Sequence, residues 1–452
     1  MKNKRHLLKS AIFATIIGVT ACINSKSAKV PEKELYLPAK VYLVPDSNNY
    51  NNPESEYCYK HSVQSANIAL FWHKEYGDNP MENPIEQKLF NPTEALAECE
   101  RFYDCYVNEL KLVEKGKTLL DTYKLLIFVF GGDEGTAFGG GEEDKVGILW
   151  TPAIRINRKP YGALAHEMMH SFQYISEKDN GGGSTGPIIE MSAQYALWQV
   201  YPQWMTFENY HLVDFLKGTH YAFLHPANMY HSPYVLEYWA DKHGKEFFGK
   251  LSRGTQPGED PVATYQRITG ISQEQFNDEM FDASRRFITW DLTRVDSVAR
   301  PYANRHTTKL KVLNKGWYQI DAENCPQNYG YNGIQLQVPD AGTTILLEFK
   351  GIAGAKGFNS VHTDKAGWRY GFVASLNNGS RVYSDIFKNA NGKAEFTVPL
   401  NTQYLWLVVS GAPAEHTPIV FNWEAPAKTP EEQWPYEFKL SGTTPVSTSL
   451  EQ

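Results

Sequence analysis

The stretch "ALAHEMMHSFQY", residues 163–174, combines two histidines and a glutamate in a pattern that fits one face of a helix. His166 and His170 are four positions apart, and Glu167 follows the first of them. In an α-helix, positions i and i+4 lie on one face about 6 Å apart, so two imidazoles there can bind one Zn²⁺ ion. The carboxylate beside the first histidine can reach water at that ion. The stretch therefore predicts a helix with two metal ligands.

The residues around the motif also favour a helix. Pro160 is suited to a first helical position, and good helix formers continue without Gly or Pro until Gly181. A chance match is the alternative, since an H-E-x-x-H string should occur in roughly one protein in fifty of this length. The motif therefore needs a third ligand before it indicates a site.

Glu190 is the candidate third ligand. It lies on a second predicted helix, "GPIIEMSAQYALWQVY" (186–201), and shares the apolar face of that helix. A carboxylate among core positions is costly to bury unless it is paired or bound to metal. The alternatives are a solvent-facing acid at a helix N-terminus and the rival ligands Glu177 and Asp179, which we expect to be solvated near the end of the first helix.

The residue types and spacing thus predict a Zn²⁺ site formed by His166, His170 and Glu190. The metzincin pattern would have a glycine and a third histidine three and six residues after the second histidine. Gln173 and Ser176 occupy those positions, so the sequence excludes that class.

The composition is that of a globular protein. The 452 residues are enough for two domains, and 42% hydrophobic and 13% aromatic residues allow sizeable cores. The formal net charge is −7 at pH 7. We expect no nucleic-acid partner, because neutralising phosphates needs a basic face.

The N-terminus resembles the signal of an exported lipoprotein. "MKNKRHLLK" (1–9) is basic, and "SAIFATIIGVT" (10–20) is apolar but too short for a stable membrane span. The run ends in "VTAC", which is similar to a bacterial lipobox with Cys22 as the lipidated residue. We expect a signal peptide over residues 1–21 and a lipid anchor at the outer membrane, on its periplasmic or surface side. An ordinary signal peptide cleaved nearby is the alternative.

Four cysteines follow the leader: Cys58, Cys99, Cys105 and Cys325. An even number in an oxidising compartment suggests two disulfides, and free core thiols are the alternative. Cys99 and Cys105 lie on one predicted helix, "NPTEALAECERFYDCYVNELKLV" (91–113). Residues six apart in a helix have Cα atoms about 9–10 Å apart, so these two should not pair with each other.

Residues 51–305 mix a few strands with many helices. "YKLLIFVF" (123–130) and "VGILWTPAIRI" (146–156) are predicted strands. The second is entered through a glycine-rich loop and precedes the H-E-x-x-H helix. Residues 22–50 are rich in Lys, Pro, Ser and Asn and are predicted to form a tether.

After about residue 306 the pattern changes. Short β-rich runs such as "IQLQV", "TILLEF" and "YLWLVVSG" alternate with turn residues. They predict an antiparallel β-sandwich over 306–442, followed by a disordered tail over 443–452. The predicted fold class is α+β.

The order of strand, H-E-x-x-H helix, turn and glutamate helix resembles the gluzincin clan of zinc metallopeptidases. Over longer stretches, the chain is similar to a family of exported bacterial and fungal proteins of unassigned function with an avirulence-protein-like label. The segments that carry this likeness are "LAHEMMHSFQY", "EMSAQYALW", "YWADKHGKEFFGKL", "WRYGFVASL" and "YLWLVVSGAP". It runs from about residue 50 to 440 and implies a zincin-like domain over 51–305.

The resemblance implies a zinc metalloendopeptidase acting on a peptide or protein substrate. His166, His170 and Glu190 would hold Zn²⁺, and Glu167 would be the general base toward the attacking water and then the acid toward the leaving amine. The strand at 146–156 would be the edge to which an extended peptide adds.

Four residues in "NMYHSPYVLEYW" are candidates for stabilising the oxyanion. Tyr230 and His231 are the two that we assign, and Tyr234 and Tyr238 are the alternatives. The thermolysin group has an aspartate four residues after its glutamate ligand, whereas this chain has Gln194. The residue that orients the first histidine is therefore not assigned.

Two other functions compete with a peptidase. One is a surface lipoprotein with an inactive, zincin-shaped body, whose aromatic-rich sandwich contacts glycan or protein. The other is a zinc hydrolase that acts on a bond other than a peptide bond. The intact Glu167 favours an enzyme, since loss of this carboxylate would be enough to abolish catalysis.

Overall fold

The structure is a computed structural model that describes residues 32–133, 135–208, 210–418 and 431–449. The predicted signal peptide and Cys22 lie outside the described residues. The α-helices are α1 (Pro92–Asp104), α2 (Gly162–Asn180), α3 (Ile188–Val200), α4 (Trp204–Phe207), α5 (Tyr210–Lys217), α6 (Tyr234–His243), α7 (Phe247–Gly254), α8 (Pro261–Thr269), α9 (Gln273–Phe287) and α10 (Asp296–Ala299).

The strands fall into two groups along the chain. The first group is β1 (Ser62–Gln64), β2 (Ile68–Trp72), β3 (Leu125–Phe130), β4 (Phe138–Glu142) and β5 (Val146–Pro152). The second is β6 (Leu310–Val312), β7 (Trp317–Ile320), β8 (Tyr331–Leu336), β9 (Thr344–Gly351), β10 (Trp368–Leu376), β11 (Arg381–Tyr383), β12 (Asn391–Thr397), β13 (Thr402–Gly411) and β14 (Tyr436–Ser441). The helices, together with one mixed and two antiparallel sheets, confirm the predicted α+β class.

The first sheet has the order β1-β2-β3-β5-β4. Strands β2, β3 and β5 are parallel, and β1 and β4 are antiparallel to their neighbours. The predicted strand "YKLLIFVF" is confirmed by β3. Its continuous apolar sequence reflects burial on both faces, because Ile127 packs toward the helices and Phe128 packs on the opposite side.

The prediction that residues 146–156 form the edge of this sheet was wrong. Strand β5 ends at Pro152 and lies between β3 and β4, and a 3₁₀ turn over Ala153–Arg155 follows it. The edge strand beside β5 is β4, with the sequence "FGGGE". The edge was missed because glycine is depleted in strands and gives no apolar alternation.

Residues 33–50, which the sequence assigned to a tether, lie against the first sheet. The side chain of Val41 is buried and belongs to a core cluster with Phe71 and Phe128, and Tyr50 packs against the same cluster. This segment therefore covers the sheet face opposite the helices.

The predicted helix through residues 91–113 is regular only in its first part. Helix α1 continues as a π-helical turn over Cys105–Glu109. The four described cysteines are buried and free, so the free-thiol alternative is the one observed. Burial raises the pKa of Cys99 and Cys105, which keeps both thiols protonated.

Two antiparallel sheets follow the helices. Their orders are β11-β10-β13-β8 and β12-β9-β14-β7-β6. Alternate residues of β10, such as Tyr370 and Phe372, share an apolar core with Phe349 of β9 and Phe438 of β14. The two sheets therefore contribute to one core. Alternate side chains of each strand point to the same face of its sheet, and these faces supply the shared apolar residues.

The other side of the β10–β13 sheet belongs to the core of the helices. Val373, Trp406 and Val408 are buried in the same cluster as Phe281 and Phe287 of α9. The chain from Lys33 onward forms one compact unit. None of the helices in the described ranges has the length and apolar character needed to cross a membrane.

Candidate metal centre

Helix α2 carries the H-E-x-x-H motif. It begins at Gly162 rather than at Pro160 and ends at Asn180, and the C-cap residue Gly181 has a left-handed φ of 72°. The Gly181 amide donates to the carbonyl of Glu177, which closes the last turn. The predicted helix is thus confirmed.

The amphipathic pattern of α2 fixes the direction of the motif. The side chains of Leu164, Met168 and Phe172 are fully buried in the core of the helices. His166, Glu167 and His170 lie on another side and are only partly buried. Packing of the apolar side therefore leaves the three polar side chains facing away from the core, with His166 and Glu167 toward one cleft and His170 toward another.

The structure brings His166, His170 and Glu190 together. His166 Nε2 is 3.0 Å from Glu190 Oε2 and 3.3 Å from His170 Nε2. His170 Nε2 is 3.6 Å from the same carboxylate oxygen. Helix α3 supplies Glu190 from its first turn, and α3 packs against α2.

These separations fit the coordination shell of a small tetrahedral ion. Zinc binds imidazole nitrogen and carboxylate oxygen at about 2.0–2.2 Å, which places tetrahedral ligand atoms about 3.3 Å apart. The three observed distances, 3.0, 3.3 and 3.6 Å, lie around that value. Nitrogen and oxygen ligands of this kind suit zinc and related transition metals.

Gln173 orients His170. The ring Nδ1 is 2.9 Å from Gln173 Oε1, and the Gln173 amide donates to the Ile189 carbonyl and to Ser192 Oγ. A ligating histidine commonly gives its other nitrogen to such an acceptor, which fixes the tautomer that leaves Nε2 for a metal. Gln173 therefore links α2 to the helix that carries Glu190.

The two glutamates of the site have opposite pKa shifts. Burial alone would raise the pKa of Glu190, but hydrogen bonds to His166 and His170 outweigh it and lower the pKa to about 2. Burial raises the pKa of Glu167, and the neighbouring imidazoles offset this only in part. One carboxylate is thus held ionised, and the other is better able to exchange a proton.

Of the predicted oxyanion residues, Tyr230 lies at the site. Its ring stacks on His166 with a centroid separation of 6.3 Å. Burial raises the pKa of Tyr230 to about 12, and the charges of Glu190 and Glu167 add to the rise. The hydroxyl therefore keeps its proton and can donate a hydrogen bond near neutral pH.

The other three candidates lie elsewhere. His231 Nδ1 is 2.8 Å from His211 Nδ1, and His231 is not among the described residues that line the cleft. Tyr234 is fully buried between Trp198 and Trp290. Tyr238 is also buried, and its hydroxyl donates to Asp282.

A cleft of about 500 Å³ opens beside the site, and one of its lining residues, His211, was not predicted from the sequence. His211 and Gln194 both line it, and their Nε2 atoms are 3.5 Å apart. His211 comes from α5, far along the chain from the H-E-x-x-H motif, and no spacing rule connects the two. Only the packing of α5 beside the site reveals it.

The site also opens on its other side. A smaller cleft of about 210 Å³ is lined by His170, Gln173, Tyr174 and Gly139. The edge strand β4 passes close to α2 here, since a Cβ on Gly139 would lie 2.1 Å from the Glu167 carbonyl oxygen. Glycine thus allows the edge strand to run directly along the motif.

No curated protein matches the chain. Among solved structures, the Glycosylation Associate Protein (Gap123) complex from Streptococcus agalactiae matches over 31% of this chain at 12% identity, with a TM-score of 0.16. The chain spans 39% of the length of that relative. A likeness at this level carries no argument about fold or function.

The family comparison covers nearly all of the sequence. The match extends over residues 27–447 and so includes both glutamates, both histidines and the C-terminal sheets. The chain therefore belongs to DUF6055, which is described as a family of unknown function.

Proposed function

We propose that this chain is an exported zinc metallopeptidase of the gluzincin type. The observation that supports this best is the convergence of His166, His170 and Glu190 within 4.8 Å, with Glu167 beside them in an open cleft. Among the described residues, no other His, Cys, Asp and Glu side chains form such a group. This donor set and spacing are compatible with zinc.

The chain's own residues have distinct tasks in this proposal. His166, His170 and Glu190 would hold zinc, which supplies the Lewis acidity that activates water and polarises a carbonyl group. Glu167, whose Oε2 is 3.9 Å from His170 Nε2, would accept a proton from the attacking water and give it to the leaving amine. Its raised pKa favours that exchange.

Tyr230 is the best-placed donor for the developing oxyanion. It stacks on His166 and lines the same cleft as Glu167. A hydroxyl that stays protonated can donate where negative charge forms. His211 is the second candidate, because it also lines this cleft.

The edge strand supports a peptide as the substrate. β4 lies at the end of the first sheet, beside the motif, and an extended chain can add to such an edge through main-chain hydrogen bonds. The zincin-like identity of the first region, the β-sandwich identity of the second and the lipid anchor at Cys22 belong to the same proposal.

A binding lipoprotein is less well supported. The outer side of the β9–β12–β14 sheet would be its natural platform, but that side carries mainly charges, and its ring Trp317 lies beneath Lys350 Nζ. The charged residues are Glu348, Lys350, Lys393, Glu395, Glu437 and Lys439. Such a pattern is typical of a solvated sheet surface. The enzyme is therefore the function that we propose.

Zinc content measured beside peptide hydrolysis tests the proposal. The wild type should bind about one zinc per chain and cleave members of a broad peptide library. Glu190→Ala should lose bound zinc, because two imidazoles hold it poorly. Glu167→Gln should keep zinc but lose activity by orders of magnitude, since an amide cannot accept the proton.

Three results would count against this assignment. A wild type without zinc, or Glu190→Ala with full zinc content, would remove the metal site. A wild type that binds zinc but cleaves no peptide would favour a binding protein or a hydrolase of another bond. Chelation and zinc add-back on the wild type provide the control for metal dependence.

A further inference from the structure

We propose that the cleft selects peptides carrying a carboxylate, which Arg155 and Arg158 bind beside the reacting bond. This selection rests on the proposed peptidase function and names its substrate class. Both arginines line the 500 Å³ cleft that also contains His166 and Glu167. Both have exposed side chains.

Most arginines in the described part of the chain already have carboxylate partners. Ion pairs are formed by Arg101, Arg267, Arg285, Arg286, Arg294, Arg300, Arg369 and Arg381. Neither Arg155 nor Arg158 pairs with a carboxylate among the described residues. In an acidic protein, two such guanidinium groups in one cleft are suited to an external anion.

The other charges that line this cleft are largely compensated within the protein. Lys159 Nζ is 3.0 Å from Glu94 Oε1 and 3.4 Å from Glu98 Oε1. Glu208 accepts from the Trp204 indole at 3.0 Å and lies 3.5 Å from His211 Nε2. Arg155 also acts electrostatically on Glu167 in the same cleft but forms no ion pair with it, so its guanidinium group and that of Arg158 remain available to an external anion.

Their geometry suits a carboxylate. Arg155 donates through Nε to the Gly135 carbonyl at 2.7 Å, which steadies the side chain and leaves its terminal nitrogens for a ligand. A guanidinium group binds a carboxylate through two parallel hydrogen bonds. Ile154, Phe207 and Tyr210 line the same cleft with exposed side chains and offer apolar contact to neighbouring residues of the peptide.

Matched peptide pairs test this selection on the zinc-loaded protein. The pairs differ only by Glu or Gln at one position, and the position is moved along a cleavable sequence. We expect the Glu peptide to be preferred in kcat/KM by about tenfold at one position, a modest value because both arginines are exposed. The preference should shrink as salt is added, since salt screens exposed charges.

Variants of the arginines show whether these residues cause the preference. Arg158→Gln and Arg155→Gln should each reduce the Glu-to-Gln ratio toward one, and Arg158→Glu should favour a Lys peptide instead. Arg305→Gln is the matched control, because Arg305 is exposed and is not among the residues that line the cleft. The substitution removes the same positive charge as Arg155→Gln or Arg158→Gln. It should leave the ratio unchanged. An unchanged ratio in both Arg155 and Arg158 variants would overturn the inference.

A second arm identifies the source of the carboxylate. Each peptide is tested with a free and with an amidated C-terminus. A loss of kcat/KM on amidation that is equal for the Glu and Gln peptides assigns the arginines to the C-terminal carboxylate, whereas a Glu-over-Gln preference that persists on amidation assigns them to an acidic side chain. Either result supports the inference, whereas equal cleavage of all forms contradicts it.

Equilibrium binding separates carboxylate recognition from the proposed function. Fluorescently labelled Glu and Gln peptides are titrated onto Glu167→Gln, which should bind without turnover. If no peptide is cleaved by the wild type but the Glu peptide still binds about tenfold more tightly through the arginines, the peptidase proposal fails and carboxylate recognition stands. Cleavage by the wild type without any difference in binding would support the peptidase and contradict carboxylate recognition.

Discussion

At the scale of single residues, environment decides what each glutamate of the site can do. Glu190 is held ionised by two imidazoles, whereas burial raises the pKa of Glu167. A ligand must be anionic, and a general base works best with a pKa near the working pH. The same residue type thus supplies both groups that the proposed reaction needs.

Tyr230→Phe tests the assigned oxyanion donor. Because the ring remains and only the hydroxyl is lost, zinc content and stability should stay near those of the wild type. We expect kcat to fall by about a hundredfold with a smaller change in KM, since the lost hydrogen bond forms mainly in the transition state. The measurement is steady-state cleavage of one peptide, beside metal analysis.

His211 is the alternative donor in that experiment. If Tyr230→Phe retains full kcat whereas His211→Gln loses activity, His211 and not Tyr230 is the donor to the oxyanion. His211 lines the cleft, whereas its ring partner His231 is not among the lining residues, so His211 is the alternative that we propose.

At the scale of elements, the approach of β4 to α2 shapes the site. Two glycines of "FGGGE" face the helix: Gly139 toward the Glu167 carbonyl and Gly141 toward the Tyr174 ring. The glycine between them, Gly140, has open space where a Cβ would lie. Glycine is therefore needed only on the side of β4 that faces α2, where Gly139 and Gly141 allow the strand to pack closely against the helix.

Gly139→Ala should therefore destabilise the protein by about 1–3 kcal/mol, because the new methyl group would push β4 away from the backbone of α2. Gly140→Ala is the matched control and should change stability by less than about 1 kcal/mol. Urea unfolding of both variants measures the difference, and zinc content reports whether the displacement reaches His170. Equal urea midpoints for Gly139→Ala and Gly140→Ala would mean that β4 can shift away from α2 without loss of stability.

At the scale of the whole molecule, the helices and the C-terminal sheets share apolar surface. Val373, Trp406 and Val408 project from the β10–β13 sheet into the core of the helices, and the Trp406 indole donates to Asn304 at 3.0 Å. Both faces of this sheet are thus buried. Cutting the chain near residue 305 would expose one of them.

The fragment 306–449 should still fold with a β-type far-UV spectrum, because it keeps its own core between the two sheets. We expect it to melt below the full chain and to bind a hydrophobic dye, since each large apolar side chain that is exposed costs about 1.5–3 kcal/mol of burial. Replacing Val373 and Val408 by Thr in the fragment should reduce dye binding. A fragment that melts with the full chain and binds no dye would show that the helices add nothing to its stability.

The sequence alone determined the local features of this protein. The i, i+4 spacing of His166 and His170 required only a helix, and the apolar run of β3 required only burial. The candidate ligand Glu190 was also identifiable, because its place on an apolar helix face made an unpaired carboxylate costly. Each of these inferences depends on residues close together in the chain.

The tertiary structure alone decided which distant elements meet. The edge strand beside the H-E-x-x-H helix is the glycine-rich β4, whose sequence lacks the pattern of a strand. The packing of residues 33–50 against the sheet likewise follows from no periodic sequence pattern. Tyr230 was distinguished from His231, and His211 was found, only by the packing of neighbouring helices at the cleft. The physical reason is that propensity and periodicity act over a few residues, whereas these contacts are set by the shapes of surfaces far apart in sequence.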